Sequence, residues 1–155
     1  ERQLILQAPS VTVGVRLVDG EPVDWHKITA KEVVTQITLD AKDAARVVRV
    51  AALFGRDAIG VRTMRLASSK GDLFVAARSY EVGDITSKLT CELAGEKDVG
   101  ITLNAEHLYE ALNAMGDGQA TLHLTGATSV LLITPGRDSP STAEHVQMLM
   151  PMFSD

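Results

Sequence analysis

Apolar and polar positions alternate early in the chain. The run Val11-Thr12-Val13-Gly14-Val15, followed by Leu17-Val18, interrupted at Pro9-Ser10 and closed by Asp19-Gly20, predicts a β-hairpin over Gln3 to Val18. Glu21 to Thr29 carries Pro22 and no period, so it predicts an extended connector and a domain boundary. A β-branched alternation returns from Val33 to Leu39, and Asp40 is placed to cap a helix from Ala41 to Leu53 that ends near Gly55. There Ala44, Val47, Val48 and Ala51 form an apolar face, while Lys42, Arg46 and Arg49 fall at i, i+4 and i+7 on another. Strands are predicted over Gly60 to Ala67, Asp72 to Ser79, Ile85 to Leu93 and Asp98 to Leu103, with turns at Ser69-Lys70-Gly71-Asp72 and Gly95-Glu96-Lys97-Asp98. Asn104 opens a second helix, Ala105 to Met115, with Leu108, Ala111, Leu112 and Met115 on one face and Gly116-Asp117-Gly118 as its stop. Three strands follow, at Ala120 to Leu124, Ser129 to Thr134 and Glu144 to Met152.

The order from Val33 onward is strand, helix, three strands, then strand, helix, three strands. That is a duplicated topology without obvious sequence repetition. Two helices cannot cover both faces of eight strands, so antiparallel sheets with both helices on one side are expected, an α+β class. A chain of 155 residues can bury one such core with a fragment of a neighbour attached. Beginning at Glu1 without Met, directly in strand-like sequence, it is expected to be a piece of a longer natural chain.

Charge and candidate chemistry narrow the function classes. A net charge of −5 argues against binding nucleic acid over the whole surface, but leaves room for a local basic stripe such as that on the first helix. The single Cys91 excludes an intrachain disulfide and fits a reducing compartment, and in a strand without a basic sequence neighbour it reads as an inert thiol. No apolar run reaches the roughly 18 residues of a membrane span, so a cytoplasmic protein is expected. His26, His107, His123 and His145 are dispersed, without the i, i+4 partner of a helical zinc site, and no Walker-type glycine loop is present. Asp24-Trp25-His26 reads as a packed indole beside a turn. No catalytic residue, metal or cofactor is expected.

Several segments resemble the third domain of the bacterial DNA polymerase III beta sliding clamp family. The resemblance is carried by Leu17-Val18-Asp19-Gly20-Glu21-Pro22-Val23-Asp24-Trp25, by Ile59-Gly60-Val61-Arg62, by Asn104 through Leu112 with Asn113-Ala114, by Leu124-Thr125-Gly126 with Ser129, and by Met150-Pro151-Met152. Their order and spacing agree over nearly the whole chain. The resemblance implies a DNA-clamp fold, with residues 1–26 as the end of the middle clamp domain and its connector and residues 27–155 as the third domain. It further implies a non-catalytic accessory subunit of a DNA-directed DNA polymerase that works as a processivity factor. Full-length relatives form a homodimeric head-to-tail ring around duplex DNA, without reading its sequence. They dock polymerase and clamp-loader subunits, and repair proteins, through short clamp-binding peptides.

Three groups of residues carry over by position. Lys42, Arg46 and Arg49 would face DNA; the bland alternative is a solvated helix face. The third-domain wall of the peptide pocket would comprise Val23, Lys27, Ile28, Ala58, His107, Thr128, Val130, Met148, Leu149, Met150, Pro151 and Met152. The alternative for Met148 and Met150, alternating on one strand, is core filling. Ala52 and Leu53 would lie at the ring interface. The sequence also departs from the family: Phe153, Ser154 and Asp155 follow the Met-Pro-Met, His107 stands where an aromatic residue is common, and Ala58 where a large apolar one is.

Two further function classes stay open. One is a stand-alone clamp-fold peptide-binding module that does not encircle DNA; the other is a small hydrolase or binding protein of coincidental topology. Lacking a first domain, the chain is expected to be a monomer or a non-native oligomer, with an unpaired sheet edge available for self-association.

Overall fold

Pro9 and Ser10 turn the N-terminal run back on itself. In the computed structural model, which describes residues 2–29, 32–55, 62–96, 98–137 and 145–152, β1 (Gln3–Ala8) and β2 (Val11–Arg16) pair antiparallel from Gln3 opposite Arg16 to Ala8 opposite Val11. That register sets Leu4 beside Val15 and Leu6 beside Val13, an apolar face that remains exposed. The expected connector is extended only in part: Trp25–Thr29 forms a short helix, α1, opened by a hydrogen bond from the Lys27 N–H to the Asp24 carbonyl (3.2 Å). Five residues are too few for a helical period to register in the sequence. Nor is the indole packed away, since Trp25 is 44% exposed and stacks on His26 with ring centroids 3.7 Å apart.

The rest of the chain runs β3 (Thr35–Asp40), α2 (Ala41–Ala51), β4 (Thr63–Ser69), β5 (Asp72–Ser79), β6 (Gly83–Leu89), β7 (Cys91–Gly95), β8 (Gly100–Asn104), α3 (Ala105–Ala114), β9 (Gln119–Leu124), β10 (Leu131–Pro135) and β11 (Gln147–Leu149). One antiparallel sheet has the order β6-β5-β4-β8, the other β11-β10-β9-β3-β7. The two strand-helix-three-strand units are thus interlocked: the leading strand of each, β3 or β8, is hydrogen-bonded into the sheet made by the other unit's three strands. β7 is additional. The expected single strand from Ile85 to Leu93 breaks at Thr90, leaving β6 in one sheet and β7 in the other. Likewise, among the described residues 145–152 of the strand expected from Glu144 to Met152, only Gln147–Leu149 is regular, and Glu144, together with Gly60 and Val61 of another expected strand, lies outside the described residues.

α2 and α3 pack side by side, α2 over β5 and β6 and α3 against β8 and β11. Their inward side chains, Ala44, Val48 and Ala51 from α2 and Leu108, Ala111 and Leu112 from α3, join Ile37, Leu39, Met64, Leu66, Leu73, Val75, Ile101, Leu103, Leu122, Leu131 and Ile133 in one core. Small alanines on both helices let the layer lie close to the sheets. Buried polar side chains are satisfied: the Thr35 hydroxyl donates to the Glu96 carbonyl (3.0 Å), and Ser79 accepts from the Glu81 and Val82 N–H groups.

The duplication extends to how each helix begins. Asp40 and Asn104 both sit in extended conformation as N-caps, accepting from Asp43 N–H (2.8 Å) and from Glu106 and His107 N–H (2.9 and 3.3 Å) respectively. The first N–H of each helix donates to a carbonyl just before the other unit's first sheet strand: Ala41 to Gly118 (3.0 Å) and Ala105 to Arg62 (2.7 Å). The second residue of each helix makes an ion pair to the same place with opposite polarity, Lys42 to Asp117 (2.6 Å) and Glu106 to Arg62. Replacing either cap by alanine should cost about 1 kcal/mol, read as a lower urea midpoint at unchanged slope; midpoints equal to wild type in both variants would contradict this account of the helix starts.

Candidate functional site

A groove of about 830 Å³ runs between α3 and the C-terminal segment, lined by Asn104, His107, Glu110, Ala111 and Ala114 on the helix side and by Gln147 to Met152 on the other. Local sequence explains both walls. Hydrogen bonding to β10 leaves Leu149 inward and buried, so Met148 and Met150 face outward, 41% and 67% exposed. Core filling is therefore not the role of these two methionines. Pro151 ends the strand, since it has no N–H for a ladder, and the Met152 N–H then donates to the Thr102 carbonyl of β8 (2.8 Å), tying down the end of the groove.

The structure brings His107 together with Met148, Leu149, Met150, Pro151 and Met152. It does not bring the other expected wall residues to this groove. Val130 is buried just before β10, Thr128 lies in an exposed turn, and Val23, Lys27 and Ile28 lie on or beside α1, with Lys27 paired to Asp24 (3.3 Å). Ala58 lies outside the described residues. Missing from the expectation were Asn104, Glu110, Ala111, Ala114 and Gln147. A signal existed, because His107, Ala111 and Ala114 stand at i, i+4 and i+7, a stripe that borders the core-facing one and shares Ala111 with it.

Lys42, Arg46 and Arg49 are all exposed on α2. Each is engaged: Lys42 with Asp117, Arg46 with Asp43 one turn away (3.0 Å), and Arg49 with its guanidinium 5.8 Å from the centre of the Tyr109 ring on α3. A cleft of about 760 Å³ flanks the same helix and adds Asp40, Lys88 and Glu92 to the charges around Arg46. At the far end of α2, Leu53 is 67% exposed, but Ala52 is only 7% exposed and belongs to the core. The expected interface pair is therefore split, because Ala52 is the helix C-cap and its methyl points inward.

The remaining reactive side chains have structural surroundings. His123 Nε2 lies 2.9 Å from the Thr134 hydroxyl, and burial holds its imidazole below the usual histidine range. Burial likewise pushes the Cys91 thiol up, away from the thiolate that nucleophilic chemistry needs. His145 Nε2 lies 2.7 Å from the Gln147 amide. Among the described residues no helix is long and apolar enough to cross a membrane.

Two interlocked strand-helix-three-strand units with paired helices define a clamp-type α+β domain. The crystal structure of the DNA polymerase sliding clamp from Bacillus subtilis matches all of this chain, and 40% of its own, with a TM-score of 0.85 at 21% identity. Residues 27–152 match the family model described as DNA polymerase III beta subunit, C-terminal domain, and the chain belongs to that family. The beta sliding clamp of Bacillus subtilis (strain 168) is 20% identical over 152 residues, 98% of this chain and 39% of that protein. That of Helicobacter pylori is 25% identical over 148 residues, 91% of this chain and 38% of that protein. The chain thus spans about two fifths of the length of these relatives.

Proposed function

We propose that this chain serves as part of a DNA polymerase processivity factor: residues 1–26 as the end of a middle clamp domain with its connector, and residues 27–155 as the third domain. In a complete head-to-tail ring of two subunits it would enclose duplex DNA in the cytoplasm, tethering polymerase without making or breaking a bond. α2 would face the DNA through Lys42, Arg46 and Arg49, the Leu53 end of α2 would meet the neighbouring subunit, and polymerase and clamp-loader peptides would dock in the groove beside α3. The observation that carries the docking role is the pair of exposed methionines, Met148 and Met150, on a wall anchored by Leu149 and Met152. Exposed thioethers on a fixed backbone adapt to varied apolar anchors at little ordering cost.

The test is binding of a labelled polymerase-derived clamp-binding peptide to the whole chain. Saturable binding is expected, weakened at least about tenfold in a variant carrying Met150→Ala and His107→Ala, in line with the loss of a central anchor at an interface. Equal binding by the variant would remove the groove from the account.

One observation favours a second reading, a peptide-binding module that never encircles DNA. The helix layer that would face DNA exposes Asp43, Glu106, Glu110 and Asp117 against Lys42, Arg46 and Arg49. Salt-dependent attraction to duplex DNA separates the two readings.

A further inference from the structure

The three cations of α2 are not idle charges awaiting a ligand. Lys42 Nζ lies 2.6 Å from an Asp117 carboxylate oxygen, and Arg46 Nη1 lies 3.0 Å from Asp43 Oδ1. The Lys42–Asp117 pair occupies the position that Glu106–Arg62 occupies in the other unit, so it stitches one unit to the other and holds the ammonium at the mouth of the Gly116-Asp117-Gly118 turn. Asp43, in the first turn of α2, is favoured there by the positive helix end whether or not Arg46 is present. Asp43 is thus placed by the helix start and Asp117 by the turn before β9, each within reach of its cation.

We propose, resting on the reading of α2 as a DNA-facing helix, that Asp43 and Asp117 are built-in competitors of DNA phosphate that keep this surface's grip on the duplex weak. A phosphate that approaches Arg46 or Lys42 must displace a carboxylate already in contact, so each new ion pair is formed at the expense of an old one. The two carboxylates also repel the approaching backbone. The net gain per contact is small, and the cation returns to its own carboxylate when the phosphate moves on. Such exchange suits a surface that must hold DNA without stopping on it.

Removing the competitors should therefore strengthen binding. The whole chain is compared with its Asp43→Asn and Asp117→Asn variants and the double variant, by fluorescence anisotropy of a labelled duplex across a salt series. Asp84→Asn is the control for net charge, because it frees Arg78 (now 3.4 Å from Asp84) on the face of the four-stranded sheet turned away from the helices. Each single variant should tighten binding by about two- to fivefold at low salt, the range an exposed ion pair spans, and the double variant should also show a steeper salt dependence, while Asp84→Asn stays near wild type. Measurable binding by wild type with no tightening in the variants, or equal tightening by Asp84→Asn, would overturn the competitor role and leave α2 as the DNA-facing helix. Absence of binding by every protein at low salt would overturn both.

Discussion

Leu103→Ala is expected to lower the unfolding free energy by about 2–5 kcal/mol, the range for a fully enclosed leucine cut to alanine. Leu103 has no exposed surface and lies on β8, the strand that leads the second unit yet is bonded into the sheet of the first, opposite Met64 of β4. The cavity would open where the two units interlock, with β4 on one side and the start of α3 on the other, so neither can collapse into it alone. Because each unit lends its leading strand to the other, urea unfolding should remain a single transition, shifted to lower denaturant at unchanged slope. A loss well under about 1 kcal/mol, or a second transition, would mean that the units are separable lobes. Thr102, next to Leu103, accepts from Met152 and so fixes the end of the groove. Peptide affinity should therefore fall with Leu103→Ala even though no groove side chain is changed.

The sequence made the local features legible and hid the exchanges between distant segments. Asp40 and Asn104 announce their helices because a short polar side chain before a 3.6-period run has one obvious use, and both caps stand where expected. The break at Thr90 left no trace. Ile85, Ser87, Leu89, Cys91 and Leu93 keep one alternation across it, so the side chains stay on the same parity while the backbone changes sheets. No period can reveal that β3 and β8 have traded sheets, since pairing partners are set by tertiary packing.

For the candidate site, the tail motif pointed to Met148 through Met152, but whether a methionine on an alternating strand faces core or solvent depends on register. Hydrogen bonding between β10 and β11 settles it: Leu131 opposite Leu149 sends Leu149 inward and its two neighbours out. Ala52 and Leu53 show a related effect, where adjacent positions inferred as one surface differ in exposure because of the geometry of a helix end. The cationic stripe of α2 was legible as a stripe, yet the carboxylate facing Lys42 comes from 75 positions further along, in a turn that reads only as a helix stop. Charge on a helical face is thus readable from sequence, whereas the availability of that charge is not.

Gly95→Ala is expected to be comparably severe, about 3 kcal/mol or more, because two independent penalties add. Gly95 closes β7 at φ +101°, a conformation in which a side chain costs on the order of 1–3 kcal/mol. A Cβ there would also stand 2.2 Å from the Val34 carbonyl oxygen, which no rotamer change can relieve because the obstacle is backbone. That oxygen accepts from the Glu96 N–H (3.1 Å), and the Thr35 hydroxyl reaches the Glu96 carbonyl, so displacing Val34 would break the clasp that holds β7 to β3. Gly71→Ala is the matched control: at φ +89° with open space around it, it should lose only the conformational part, about 1 kcal/mol. Parallel urea titrations of the two variants separate strain from collision, and an equal loss in both would show that β7 can detach from β3 without cost. The expected inequality follows from the fold itself: β7 is the strand outside the duplicated pattern, paired at a sheet edge with β3, and that pairing depends on the one residue type that lets the chain pass so close to Val34.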